Sequence, residues 1–272
     1  MFSKIIGTGG YLPKKIVTNK DLESTIDTTD EWIVERTGIK QRHIAEENET
    51  TSSMAVQASI DALNSANIQP EDIDLIIVAT TTPDQIFPST ACIVQNKLKI
   101  KAPAFDIQAA CTGFVYALSI ADNYIKAGLN KNILVIGAEK YSNLLDWNDR
   151  STCVLFGDGA GAVILSAQSE PGIISTHIHA DGKYNDLLSV ENNHIKMKGN
   201  EVFKVAVNTL SKLVDETLSI NNMTKSDVDW LVPHQANLRI IKAAAKKLSM
   251  SLDQVVVTVD KHANTSAASI PL

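Results

Sequence analysis

The sequence predicts an α/β fold made of two similar halves. Three observations carry that expectation. Short apolar runs such as LIIVA (Leu75–Ala79) and ILVIGA (Ile133–Ala138) alternate with longer amphipathic stretches, the pattern of strands joined by helical crossovers. Those runs are apolar at every position, so both faces of the strands should be covered. The order of elements in residues 1–170 recurs in residues 171–272, which reads as a duplication with its join near Glu170–Gly172. Parallel pairing should dominate, because crossover connections return the chain in the same direction.

The elements follow in order. Lys4–Gly7 reads as a strand. Thr50–Asn67 reads as a helix with Met54, Ala58, Ala62 and Leu63 on its apolar side. Asp74–Thr80 is a buried-type strand, Ser89–Leu98 a helix and Pro103–Ile107 a strand. Thr112–Ala127 is a long apolar helix stopped by Gly128, a residue type favoured just past a helix end. Asn132–Ala138 and Gly161–Ser166 are strands. In the second half, Gly172–Ala180 reads as a strand and Gly199–Ser219 as a helix. Asp229–Val232 is a strand, Asn237–Leu248 a helix and Gln254–Val259 a strand. Asp181–Lys198 is polar and reads as an irregular surface excursion.

Composition excludes several classes. Of the 272 residues 44% are apolar and 21% charged, which is ordinary for a globular chain. The net charge of −6 makes a general polyanion binder improbable, so nucleic acid is not an expected partner. The three cysteines, Cys92, Cys111 and Cys153, are odd in number and contain no CxxC, so no metal site or disulfide framework is expected. The N-terminus is not a signal peptide, and no apolar run approaches the ~18 residues of a membrane span. A reduced, cytoplasmic setting is expected.

GDGAGA (Gly157–Ala162) satisfies a dinucleotide fingerprint by letter, but a strand-like run follows it where the fingerprint must open a helix. A tight turn or close backbone packing is the expected role. GTGG (Gly7–Gly10) fails the spacing. His177 and His179 share one face of their segment and are taken as surface residues. His43, His194 and His262 suggest no partners.

Three segments carry chemistry. Cys111 in DIQAACTGFVYAL directly precedes a helix, where free N–H groups and the helix dipole favour a thiolate. His234 in DWLVPHQANLR and Asn264 in DKHANTSAASIP sit at two further strand-to-helix junctions, the position where open α/β sheets place their sites. At these residues the chain resembles the β-ketoacyl-acyl-carrier-protein synthase III family of the thiolase superfamily. The matching stretches are TTDEWIVERTGI (Thr28–Ile39), ATTTPDQIFPS (Ala79–Ser89), QAACTGFVYALS (Gln108–Ser119), FGDGAGAVIL (Phe156–Leu165), GNEVFKVAV (Gly199–Val207), VPHQANLRI (Val232–Ile240) and NTSAASIP (Asn264–Pro271).

The resemblance implies a duplicated βαβαβ five-layer thiolase-like fold, as a homodimer. It implies an enzyme that condenses acetyl-CoA with malonyl-acyl carrier protein, without metal or redox cofactor. Cys111 would be the acyl nucleophile, and His234 and Asn264 the decarboxylation pair. Trp32 and Arg150 match the pair that sandwiches the CoA adenine, with Thr28 and Arg36 beside it. Gly199, Phe203 and Asn237 match positions lining the pantetheine tunnel, and Phe87 a residue shaping the acyl pocket across the dimer. Arg239, Lys242 and Lys246 form one stripe on their helix and are assigned to the acidic carrier protein, together with the segment Gln235, Ala236, Asn237 and Leu238 that leads into it. Ala263 stands where the family usually has glycine. The family also continues past the position of Leu272 with a glycine-rich loop, so the native chain is expected to extend further. Two other readings stay open: a related cysteine acyltransferase of secondary metabolism, and an inactive dimerisation module.

Overall fold

In a computed structural model that describes all of residues 1–272, the N-terminal part lays down β1 (Phe2–Tyr11), β2 (Lys15–Thr18), α1 (Asn19–Glu23), α2 (Asp30–Thr37), β3 (Gln41–Ile44) and α3 (Thr51–Ala66). There follow β4 (Leu75–Ala79), α4 (Thr90–Leu98), β5 (Ala104–Ile107), α5 (Gly113–Lys126), β6 (Asn132–Lys140) and β7 (Asp158–Gln168). The remainder contributes β8 (Leu188–Glu191), β9 (His194–Met197), α6 (Gly199–Ile220), α7 (Leu238–Leu248) and a single turn, α8 (Val259–His262).

The centre is a five-stranded sheet in the order β1-β7-β6-β4-β5. Its residues alternate between two cores, as the period of a strand requires. Ile76, Val78, Leu134, Ile136 and Ile164 face α3 and α4. Leu75, Ile77, Ala79, Ile133 and Val135 face α5 and Ala267. Every residue of β4 is therefore buried, as its unbroken apolar run predicts. Thr50 and Ser89 cap α3 and α4 by accepting the N–H of Ser53 and Cys92, and Gly128 ends α5 at φ +74°.

Pairing is less parallel than expected. β4 runs parallel to β5 and β6, whereas β7 is antiparallel to both β6 and β1. The glycines of GDGAGA fall at the start of β7 and not before a helix. Gly137 of β6 pairs in register with Gly161 of β7, and the two create a smooth trough on the sheet. A Cβ at Gly137 would lie 2.2 Å from the Ala267 carbonyl oxygen, and one at Gly161 would lie 2.4 Å from the Leu272 nitrogen. The motif thus lets the C-terminal segment lie directly on the strands.

The second half differs from the strands expected there. Asp229–Val232 and Gln254–Val259 reduce to one parallel bridge, Leu231 to Val255, since two short strands without a third are marginal. Gly172–Ala180 forms no ladder. Ile173 donates one hydrogen bond to the Ser3 carbonyl (2.8 Å), and His177 and His179 both turn to the same Glu216 oxygen of α6, at 3.3 and 3.0 Å. These histidines share a face as expected, but they are anchored to a helix and not free on the surface. Asp181–Lys198 is not irregular: β8 and β9 pair as a hairpin. Its turn residues Asn192 and Asn193 have φ +51° and +64°, the left-handed pair that a two-residue turn needs and asparagine tolerates.

Candidate active site

Cys111 lies in a one-turn 3-10 helix between β5 and α5. Its neighbour Ala110 is held at φ +45°, a conformation that costs a non-glycine residue ~1–2 kcal/mol. Burial opposes the thiolate that the helix start favours. Burial pushes the Cys111 thiol up to about 11, against a hydrogen bond from Ser266 that favours the anion; the nearby Glu139 carboxylate raises it further.

The segment Asn264–Ser269 organises everything else. Asn264 is fixed by an isolated parallel bridge to Phe156, so it follows α8 and not a strand. Its Oδ1 accepts the Ser266 N–H at 2.9 Å, which leaves Nδ2 as the free donor. The turn Ser266–Ala268 packs against the one-turn helix that holds Cys111. Ser269 accepts the Gln235 N–H at 3.1 Å and lies 2.5 Å from His234 Nδ1. The Ser269 hydroxyl then donates to Nδ1, and the ring proton sits on Nε2. Burial lowers the His234 pKa to about 4, so the imidazole is neutral at pH 7. Both His234 and Asn264 thus have an acceptor atom occupied by this segment and a donor N–H free. Ser266 and Ser269 were invisible to the sequence reading; their position in NTSAASIP, directly after Asn264, was the only signal.

Family models for 3-oxoacyl-[acyl-carrier-protein (ACP)] synthase III match residues 105–182, and for its C-terminal region residues 218–272. A β-ketoacyl-[acyl-carrier-protein] synthase III of Thiobacillus denitrificans is 60% identical over 282 residues, covering 100% of this chain and 88% of the relative. One from Vibrio cholerae is 61% identical, covering 100% and 89%. The crystal structure of the 3-oxoacyl-[acyl-carrier-protein] synthase III of Aquifex aeolicus superposes with a TM-score of 0.97 at 55% identity, covering 99% of this chain and 88% of that one. The chain belongs to the β-ketoacyl-[acyl-carrier-protein] synthase III family. The α/β, thiolase-like fold class expected from the sequence therefore stands.

The synthase III residues matched to CoA binding cluster on and beside α2. Arg36 and Arg150 both place their guanidinium carbons over the Trp32 ring, 4.8 and 5.2 Å from its centroid. Arg150 also donates to the Asp27 carbonyl at 2.7 Å. The spacing between Arg150 and Trp32 holds no third ring, so a purine enters only if Arg150 swings aside. The neighbouring Thr28 hydroxyl is buried without a partner. Gly199 is exposed and Phe203 half-buried, with Arg239 4.9 Å above the Phe203 ring. Asn237 is fully engaged: it caps α7 through Arg239 N–H (2.8 Å) and donates to the Arg36 carbonyl (3.0 Å). Phe87 is 82% exposed, next to Ile86 at 94%.

The carrier-protein stripe needs one correction. Arg239, Lys242 and Lys246 are all exposed on α7, but Gln235 is 1% exposed. Its amide donates to the Pro233 and Val256 carbonyls and accepts from Thr258 and Val259 N–H. It is a staple under the site and cannot meet a partner. Leu238 packs against Gly38, and Ala236 is half-buried. A cleft of about 590 Å³ beside the stripe is bordered by Lys40, Arg239 and Lys242 on one side of the charge balance and Glu35 and Asp260 on the other.

Ala263 carries strain that the family's usual glycine would not. It has φ +59° and ψ −160°, a region almost confined to glycine, which costs other residues ~1–3 kcal/mol. Against that relief, Ala263→Gly loses a buried methyl, ~0.8 kcal/mol, and adds unfolded-chain entropy, ~0.4–1 kcal/mol. The melting temperature of Ala263→Gly should stay level or rise by ~1–2 °C. A fall of several degrees in a thermal melt would mean that Ala263 is unstrained.

Proposed function

We propose that this chain catalyses the decarboxylating condensation of acetyl-CoA, or another short acyl-CoA, with malonyl-acyl carrier protein, giving acetoacetyl-carrier protein, CoA and CO2. The reaction would initiate fatty-acid synthesis in the cytoplasm. The observation that carries the reading is the single segment Asn264–Ser269, which packs against the turn holding Cys111, presents the Asn264 amide and orients His234 through Ser269.

The chemistry divides in two. Cys111 sulfur attacks the acetyl thioester and CoA leaves, so one difficult condensation becomes two easier steps. Malonyl-carrier protein follows, and loss of CO2 places negative charge on its thioester oxygen. The free donors, His234 Nε2 and Asn264 Nδ2, suit that oxygen, and a neutral imidazole donates without first losing a charge. The resulting carbanion attacks the acetyl carbonyl on Cys111. The balance needs no electron carrier. Trp32, Arg36 and Arg150 would receive the adenine end of CoA, because indole and guanidinium both stack on a purine. A second copy of the chain is the proposed cover for Ile86 and Phe87, since burying each such side chain is worth ~1.5–3 kcal/mol. No helix is long and apolar enough to cross a membrane.

The test pairs an acetyl adduct on Cys111, read by intact mass, with labelled CO2 release from malonyl-carrier protein. Both should appear. An adduct without CO2 would instead mark an acyltransferase that does not decarboxylate. The same assay examines the stripe. Lys242→Glu with Lys246→Glu should raise the apparent KM for malonyl-carrier protein several-fold and leave reaction with malonyl-CoA unchanged. The contrast should fade with added salt, because exposed charges are screened over ~10 Å at 0.1 M. Equal losses with both donors would make the stripe structural.

A further inference from the structure

Glu139, wholly buried at the end of β6, has no part in the chemistry above. A carboxylate is almost never buried without a paired cation, yet the adjacent Lys140 ammonium turns away to the Glu46 and Glu49 carbonyls. Burial pushes the Glu139 carboxyl up to about 7, against the hydrogen bonds of three consecutive threonines. Its Oε2 accepts from Thr80 Oγ1 (3.3 Å), Thr81 N–H (3.0 Å) and Thr82 Oγ1 (2.6 Å). The direction of these bonds is fixed by the backbone. Thr80 Oγ1 itself accepts the Thr82 N–H at 3.1 Å, and Thr82 Oγ1 accepts the Lys140 N–H at 2.8 Å. Each hydroxyl then has its own proton to give, and Glu139 is the acceptor.

Residues 80–82 are the base of the loop that joins β4 to α4. The first turn of α3 holds the same stretch from the side: the Thr82 carbonyl accepts from Thr51 Oγ1 (2.5 Å), and Asp84 accepts the Ser52 N–H (2.9 Å) and Oγ (2.6 Å). Beyond Asp84 no hydrogen bond holds residues 85–88, which include the exposed Ile86 and Phe87. The place of the tip is therefore set by its base. That base also borders the nucleophile's turn, since Ala79 Cβ lies 3.1 Å from where a Cβ on Gly113 would stand, two residues after Cys111. Resting on the condensing-enzyme reading, in which Phe87 shapes the acyl pocket, we propose that Glu139 is a positioning residue that sets the acyl-chain length accepted at Cys111, by holding residues 80–82 beneath the loop that carries Phe87. Glutamine would keep the shape and lose the charge, which makes such bonds strong. Its amide N–H2 would also face the Thr81 N–H, 3.2 Å from the other Glu139 oxygen. A loosened base lets the tip give way to a longer chain.

The test compares the rates of Cys111 acylation by acetyl-CoA and by hexanoyl-CoA, read peptide by peptide so that Cys92 and Cys153 do not interfere. One methylene in an apolar pocket is worth roughly tenfold or more. In Glu139→Gln the acetyl-to-hexanoyl ratio should fall at least fivefold, with CO2 release from malonyl-carrier protein retained. Thr82→Val removes one partner of Glu139 and should shift the ratio the same way; it carries the test if Glu139→Gln does not fold. In a Phe87→Ala background, Glu139→Gln should move the ratio less than twofold, because the two changes act through one side chain. Equal losses with both primers, or a shift that persists in full without Phe87, overturn the assignment. Hydrogen exchange on peptides spanning residues 80–89 needs no substrate, and Glu139→Gln should speed it there at least tenfold and not elsewhere. Unchanged exchange overturns the role of Glu139 alone. A wild type that takes up neither acyl group overturns the condensing-enzyme reading, and the selectivity with it.

Discussion

Cys111→Ser is expected to abolish acetyl transfer from acetyl-CoA while leaving malonyl decarboxylation measurable, and Asn264→Ala to do the reverse. The separation follows from what each side chain has free. Only Cys111 offers a polarisable nucleophile; a serine hydroxyl in the same turn has far less anionic character than even a thiol raised to about 11. Asn264 spends its Oδ1 on Ser266 N–H, so only Nδ2 is left for the enolate oxygen. Losing one such donor typically costs ~10²–10³ in rate. Asn264→Ala also leaves the Ser266 N–H unpaired, at ~1–3 kcal/mol, so a lower melting temperature should accompany the lost CO2. His234→Ala should resemble Asn264→Ala, because His234 is neutral and its Nδ1 is occupied by Ser269. Acetyl adduct on Cys111 and labelled CO2 are measured on all three variants. If His234→Ala stops acetylation as completely as Cys111→Ser, His234 is the base for the thiol, and this assignment falls.

What was legible in the sequence was what local pattern controls. Unbroken apolar runs identified β4, β6 and β7 because such strands are covered on both faces, and the ranges expected for α3, α4 and α5 end within a residue of those observed. Cys111, His234 and Asn264 could be named because their flanking letters resemble a known family. Three matters were not legible. Strand direction was misjudged for β7, since an apolar run carries no arrow. The environment of Cys111 was not legible because burial, the Glu139 charge and the Ser266 hydroxyl that act on it come from segments distant in sequence. Gln235 looked like part of an exposed segment, yet its four backbone hydrogen bonds reach Pro233, Val256, Thr258 and Val259. Each failure concerns a partner far along the chain, which propensity cannot see.

The glycine trough is where fold and site meet, and Gly137→Ala should damage both. The added Cβ would sit 2.2 Å from the Ala267 oxygen and 2.7 Å from its carbonyl carbon. Both are backbone atoms, so no rotamer change relieves the clash. Overpacking of this kind costs ~1–3 kcal/mol and occasionally more, a drop of roughly 2–4 °C per kcal/mol for a chain near this size. Relief can come only by lifting Asn264–Ser269 off β6, which displaces Ser266 from Cys111, Ser269 from His234 and Asn264 from its own cap at once. Gly137→Ala should therefore reduce acetylation and decarboxylation together, unlike any of the single-role variants. Gly182→Ala is the control: its Cβ would meet nothing within 4 Å, and it should change stability by less than ~0.5 kcal/mol. A Gly137→Ala protein that melts with wild type and keeps either half-reaction intact would show that the segment is held by something other than its seat on the sheet.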